Sequence, residues 1–210
     1  MASNLPSSVT GSNGNGTYQQ NAGHPPALTS TRARWNFDWS INTDLSGTGG
    51  QKIAGLNYQI GMDFDAGVGT NFQMFDLING VNPNPLAGGL ALWDHSFGDN
   101  TTAQSAGVEA SGATLPAALT SYNALKAANN LVQHSWNYDF FDNISFPFNA
   151  DADGTYTIFL QAKDANGTLL ARSEINVIVG AGAQQIPEPA SMALVGLALA
   201  GMALTRRSKR

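Results

Sequence analysis

Apolar and polar residues alternate along several segments of this 210-residue chain, and this period of two constrains its fold more than any other feature. From Trp35 to Ile41 every second residue is large and apolar, and Asn, Asp or Ser lies between. Segments 56–64 and 156–162 repeat the pattern. Because successive side chains of a strand point to opposite faces, each segment predicts a strand with one buried face. A polar second face is typical of antiparallel sheets.

A β-hairpin is predicted near the end of the alternating region. The turn sequence Asp164–Gly167 contains Asn-Gly and is followed by a returning strand, Leu169–Val179. The approach Asp153–Tyr156 resembles the tyrosine corner of immunoglobulin-like sandwiches, in which a tyrosine hydroxyl bonds to upstream backbone, here near 149–153. The alternation predicts that Tyr156 faces the core and that Phe159 lies on the opposite, water-facing side.

The remaining segments complete the predicted architecture. Pro116 suits the first turn of a helix over 114–129, and shorter strands are expected at 72–78, 90–93 and 132–140. Together the elements predict a mainly β fold, an antiparallel Ig-like β-sandwich with one short helix, over residues 32–180. Residues 1–31 are polar and predict a flexible leader, and 181–186 predict a linker.

Composition excludes several classes of protein. The chain has no cysteine, so disulfides, thiolate zinc sites and a catalytic cysteine are ruled out. There are 10 Lys and Arg residues against 15 Asp and Glu, and four of the 10 lie in the last five positions. An acidic body without a basic stripe argues against nucleic acid as a partner.

The C-terminal segment 187–210 has three parts in a fixed order. Pro187, Glu188 and Pro189 come first, then the apolar run Ala190–Leu204, and then the basic residues Arg206, Arg207, Lys209 and Arg210. As a helix the apolar run would be about 22 Å long. This is shorter than a hydrocarbon core of about 30 Å, but the long basic side chains can extend to the membrane interface and make up the difference in length. The segment therefore predicts a C-terminal hydrophobic helix, with its basic end on the cytoplasmic side.

This order resembles the PEP-CTERM sorting signal of Gram-negative bacteria, which is also known as an ice-binding protein C-terminal motif. The resemblance implies an exported protein that is held in the inner-membrane lipid until an exosortase recognises Pro187, Glu188 and Pro189 and cleaves nearby. Arg206, Arg207, Lys209 and Arg210 would then be the retention cluster. The resemblance also implies a cell-surface or extracellular location and an association with exopolysaccharide or biofilm material. Ice binding is not expected, because the body has no regular Thr-x-Thr array.

The family pattern includes an N-terminal secretion signal. Residues 1–16 contain neither a basic n-region nor an apolar h-region. We therefore expect coding sequence for a signal peptide upstream of Met1.

Two acidic segments of the body are candidates for a calcium site. Asn149, Asp151 and Asp153 place side-chain oxygens at alternate positions before a glycine, as a calcium loop does. Position 12 of such a loop would be Leu160, so the EF-hand interpretation fails, although a shallower site stays open. The same residues also predict a simple turn before a strand. Asp63 and Asp65 allow the same two interpretations. No other cofactor is predicted.

Histidines and tryptophans define the alternatives to a structural role. Asp94, His95 and Ser96 are the residue types of a catalytic triad, but adjacent side chains diverge and no Gly-x-Ser-x-Gly motif occurs. A secreted hydrolase would require His95 or His134 to meet an acid and a nucleophile in one pocket. His24 lies in the predicted leader. Four tryptophans are candidates for sugar stacking: Trp35, Trp39, Trp93 and Trp136.

The sequence thus favours a non-enzymatic, exported structural protein of the cell envelope or extracellular matrix. A secreted carbohydrate-binding β-sandwich is the first alternative, and it requires Trp93 or Trp136 to be exposed in a groove. A secreted hydrolase is the less favoured one.

We expect the mature protein from its native host to lack Arg206–Arg210. Replacing Glu188 with Ala removes the charged centre of the recognition triplet, so this variant should accumulate as a longer, membrane-held form. Intact-mass spectrometry of the C-terminus measures both outcomes, and Gln184→Ala is the neighbouring control that should be processed normally. Recovery of a secreted protein with Arg210 intact would contradict the prediction.

Overall fold

Two β-sheets and one α-helix make up the part of the protein that the structure, a computed structural model, describes: residues 15–25, 32–79 and 93–183. The strands are β1 (Thr17–Gln20), β2 (Asn36–Asn42), β3 (Asn57–Asp63), β4 (Phe72–Phe75), β5 (Ser96–Gly98), β6 (Leu131–Asn137), β7 (Gly154–Lys163) and β8 (Leu169–Val179). The helix α1 spans Leu115–Ala128, and 3-10 turns lie at Ile53–Gly55 and Tyr138–Phe141.

The larger sheet has the strand order β1-β8-β7-β3-β4 and the smaller sheet the order β2-β6-β5. All neighbouring strands are antiparallel except β1 and β8, which run parallel. The predicted mainly β fold with one helix is therefore confirmed, while the immunoglobulin-like arrangement stays a prediction. The predicted C-terminal hydrophobic helix lies outside the described residues. Within them, no helix is both long and apolar enough to cross a membrane.

Alternation predicted the longer strands correctly. Residues 35, 37, 39 and 41 are buried along β2, and Phe37 pairs with Trp136 on β6. The hairpin β7–β8 forms as predicted, with the Asn-Gly turn between its strands. Helix α1 begins after Thr114, whose side chain accepts a hydrogen bond from the amide of Ala117. Such a cap satisfies one of the free amides of the first turn.

Short elements differ from the prediction. β4 is shorter than the predicted strand 72–78, and the strand expected over 132–140 ends at Asn137, where a 3-10 turn begins. Of the strand expected at 90–93, only Trp93 is described, and it lies outside any strand. β5 forms instead at Ser96–Gly98, by pairing with β6. Three-residue strands carry too little alternation to be recognised in a sequence.

β1 lies within the segment 1–31 that was predicted to be a flexible leader. Thr17 pairs with Asn176 and Gln20 with Val179, so this segment extends the larger sheet. Its sequence Thr-Tyr-Gln-Gln shows no apolar alternation. Backbone pairing along the edge of β8 therefore places β1 here.

Tyr156 is buried as predicted, but it does not form a tyrosine corner. Its ring packs 5.3 Å from Tyr138 and 5.6 Å from Phe148. Among the described residues, its hydroxyl makes no hydrogen bond to the backbone of 149–153. Two other buried tyrosine hydroxyls do bond to backbone: Tyr138 donates to the carbonyl oxygen of Asp63, and Tyr58 donates to that of Ile53.

Phe159 does not face water, which corrects the prediction for the outer face of β7. Only 6% of the residue is exposed. Its ring lies over Gly61 of β3, the Phe72 ring is 5.4 Å away, and the Arg172 guanidinium is 3.6 Å from its centroid. The missing side chain of Gly61 leaves the space that this ring fills.

We expect Gly61→Ala to destabilise the protein by about 1–3 kcal/mol, because overpacking forces neighbours to shift. The added Cβ would lie 2.2 Å from a carbon of the Phe159 ring. In a Phe159→Ala background the same change should cost far less, since the ring is gone. Urea unfolding of the single and double variants measures this coupling. Equal costs in both backgrounds would show that the ring does not set the cost.

Candidate functional site

The last strand ends directly before the predicted sorting segment, in a short turn that we call the tail root, residues 180–183. Gly180 and Gly182 have φ values of +59° and +77°, a region that favours glycine. A Cβ on Gly180 would also lie 1.8 Å from Oδ1 of Asp153. Glycine is therefore required at position 180 by both backbone conformation and space.

Hydrogen bonds fasten the tail root to two strands. The Gly180 amide donates to the carbonyl of Gln20 at 2.9 Å, and the Gln19 side chain donates to the carbonyl of Gly180 at 2.7 Å. The Ala183 amide donates to Oγ1 of Thr155 at 2.9 Å. Gly180 is therefore held against β1, and Ala183, predicted to belong to a linker, is held against β7. Sequence reasoning missed this because the partners lie far away along the chain.

Among the residues that the structure describes, the histidines predicted as catalytic candidates do not share a pocket with a nucleophile. His95 is completely buried, and its Nδ1 lies 2.8 Å from the Tyr122 hydroxyl. Burial holds the pKa of His95 well below its usual value and raises the pKa of Tyr122. His95 is therefore neutral, and the Tyr122 phenol keeps its proton. This arrangement is a polar pair within the core.

The side chains of the adjacent residues 94, 95 and 96 point in different directions, as expected for neighbours in sequence. Asp94 lies 3.3 Å from Nε2 of His134. Ser96 is directed towards Gly107, where an added Cβ would lie 2.0 Å from its Oγ. His24 is separate again: it pairs with Asp151 at 3.3 Å, and its Nδ1 lies 2.9 Å from the carbonyl oxygen of Arg32.

The four tryptophans predicted as sugar-stacking candidates are all core residues. Each is buried: Trp35, Trp39, Trp93 and Trp136. Trp93 stacks on the buried His95 ring at 5.2 Å, and Trp136 lies 5.0 Å from Phe141. The condition for a carbohydrate-binding groove with an exposed Trp93 or Trp136 is not met.

The acidic segments proposed as calcium candidates form turns. Oδ1 of Asn149 accepts the Asp151 amide at 3.0 Å, and Asp153 lies against Gly180. Oδ1 of Asp63 accepts the amides of Asp65 and Asn71. Such side-chain-to-backbone bonds are typical of Asx turns. In the described ranges, no group of three or more His, Cys, Asp or Glu residues is placed to hold a metal ion.

Comparison with known families decides the nature of the C-terminal segment. A family model described as the PEP-CTERM protein-sorting motif matches residues 185–208. The chain carries a PEP-CTERM sorting motif. The resemblance seen in the sequence is thus confirmed, and the motif indicates an exported protein that an exosortase sorts at the membrane. No curated protein and no solved structure matches the chain.

The PEP-CTERM motif begins close to the folded domain. Ala183 is the last described residue, and Pro187 follows four positions later. Since an extended chain spans at most about 3.6 Å per residue, Pro187 lies within about 14 Å of Ala183. The motif residues Pro187, Glu188, Pro189, Arg206, Arg207, Lys209 and Arg210 themselves lie outside the described part of the chain.

We expect the PEP-CTERM protein to lose stability as the pH falls below about 6.5, the usual pKa of histidine. In the unfolded chain His95 takes up a proton there, whereas the buried His95 stays neutral to lower pH because burial depresses its pKa. The unfolded state therefore binds more protons, and stability falls by at most about 1.4 kcal/mol per pH unit for this group. Urea unfolding between pH 5 and 8, a window chosen about the histidine pKa, measures the slope.

The matched variants are His95→Gln and His24→Gln. His95→Gln removes the titrating group and should flatten the slope, leaving the part that His134 contributes, whose pKa burial also lowers. The pKa of His24 is raised, chiefly by its hydrogen bond with the Arg32 carbonyl, so His24 stabilises the fold at lower pH. His24→Gln should therefore steepen the slope. An unchanged slope in His95→Gln would show that His95 is not kept neutral.

Proposed function

We propose that this PEP-CTERM protein is a non-enzymatic structural component of the cell envelope or extracellular matrix, where it associates with exopolysaccharide. The observation that supports this most is the sorting motif at 185–208, which follows the tail root directly. A β domain joined to such a motif is exported and sorted together with it. The inner-membrane lipid and the exosortase are its transient partners.

The core arrangement supports a role without catalysis. His95 and Tyr122 are buried together, and Oγ of Ser96 lies next to Gly107. A nucleophile needs a base within hydrogen-bond reach and access to substrate. The geometry of the described histidines meets neither requirement, so the hydrolase alternative gains no support.

The outer face of the larger sheet supports contact with a neutral, hydroxyl-rich polymer. Gln161 donates to Gln59 at 2.6 Å across β7 and β3, and Thr157 donates to Asn176 at 2.8 Å across β7 and β8. These groups are amides and a hydroxyl, which both donate and accept hydrogen bonds without carrying charge. The Arg172–Glu174 ion pair lies between them on β8, with its charges paired at 2.6 Å. The amide and hydroxyl groups match the chemistry of polysaccharide hydroxyls. This match does not depend on tryptophan stacking.

We expect the secreted protein to sediment with exopolysaccharide isolated from its native host. The double variant Gln59→Ala/Gln161→Ala removes the central amide pair of the outer face and should lower the retained fraction several-fold. Gln51→Ala, an exposed glutamine away from this face, is the matched control and should behave as wild type. Quantitative blotting of pellet and supernatant provides the measurement. A wild-type protein found only in the supernatant would contradict the proposal.

A further inference from the structure

Two loops of the protein hold apolar side chains out in solvent. Val68, between β3 and β4, is 72% exposed. Ile144, between the second 3-10 turn and β7, is fully exposed. The Ile144 loop is closed by reciprocal backbone hydrogen bonds between Asn143 and Phe146, at 3.1 and 3.2 Å. The fold therefore fixes a large aliphatic side chain at a tip that no other described residue covers.

Both loops lie at the end of the domain where the tail leaves. The Thr155 amide donates to the carbonyl of Ala66 at 3.2 Å, and Oγ1 of the same threonine accepts the amide of Ala183. The Asn71 side chain donates to the carbonyl of Ser145 at 3.3 Å, which joins the two loops. We call this surface the tail-root end and define it as residues 64–71, 143–146 and 180–183.

Chain length brings the tail-root end close to the membrane during sorting. Ala183 is hydrogen-bonded to β7, and the apolar run Ala190–Leu204 begins seven positions later. Seven residues span at most about 25 Å when fully extended. While the run is held in the bilayer, the tail-root end is therefore the part of the domain tethered nearest to lipid.

We propose that the tail-root end rests on the lipid surface of the membrane, with Ile144 and Val68 entering the interface while the tail is held. This inference depends on the membrane-held stage of the proposed function. Isolated aliphatic tips on convex loops are suited to a soft lipid interface, where an apolar side chain is buried without a matching pocket. The contact adds a second, weak attachment to that of the tail.

The charge of neighbouring side chains indicates which lipids suit this contact. Asp65 belongs to the Val68 loop, and Asp142 directly precedes the Ile144 loop. Asp153 lies against the tail root, with its carboxylate beside Gly180. Carboxylates at this end are repelled by anionic headgroups. The contact therefore favours zwitterionic lipid such as phosphatidylcholine.

The absence of cysteine from the chain allows a direct test. Ile144→Cys and Leu45→Cys each introduce one labelling site, and Leu45 is an equally apolar residue, 86% exposed, in the loop that follows β2 at the opposite end. Each full-length variant is labelled with an environment-sensitive fluorophore and reconstituted into phosphatidylcholine vesicles, which carry a nitroxide quencher on the lipid. We expect the label at position 144 to be quenched several-fold more than the label at position 45.

Each outcome separates the inference from the function on which it depends. If the protein does not float with the vesicles, the tail does not hold it in lipid, and the membrane-held stage itself fails. If it floats and both labels are quenched equally, the tail-root end does not touch lipid and the inference alone is overturned. A difference that appears only in native membranes with the exosortase assigns this end to a protein partner, and it also overturns the inference.

Discussion

The packing of Tyr138 between the two sheets is the contact on which the remaining structure depends. It follows β6 of the smaller sheet, and its ring lies 5.1 Å from Trp35, 4.8 Å from Phe64 and 5.3 Å from Tyr156. Its hydroxyl donates to the carbonyl of Asp63 at the end of β3. Aromatic pairs each contribute about 0.5–1.5 kcal/mol beyond their buried area. Both sheets are thereby joined at the same end as the tail root.

The alternating segments were predictable because their burial follows from local sequence alone. Phe37 and Ile41 lie on one face of β2 whatever the partner strand is, so the period of two was sufficient. Phe159 was predicted wrongly because its burial depends on Gly61, a residue on another strand. A glycine inside a strand pattern is a recognisable sign of such close approach. That sign could have identified the covered outer face.

The candidate functional residues also divide into those that local sequence predicts and those that only the fold brings together. The sorting motif was predictable because its three parts are contiguous in the sequence and no folding is needed to bring them together. The tail root was not, because Gly180 is held by Gln19 and Gln20, whose polar sequence gives no strand signal. Asp94, His95 and Ser96 were grouped as candidates only because they are adjacent in the sequence. In the fold their side chains contact three different residues, His134, Tyr122 and Gly107 respectively.

The parallel pairing of β1 with β8 sets the order in which the domain can be completed. Thr17 pairs with Asn176, so the first described strand can pair only after the last described strand is in place, and the edge of the larger sheet closes then. Contacts this distant in sequence form late, because a long loop must close before they contribute. If the chain crosses the membrane unfolded and from its N-terminus, β1 stays unpaired until β8 has also crossed. The sorting motif at 185–208 follows β8 directly, so in that order the sheet closes as the motif reaches the membrane.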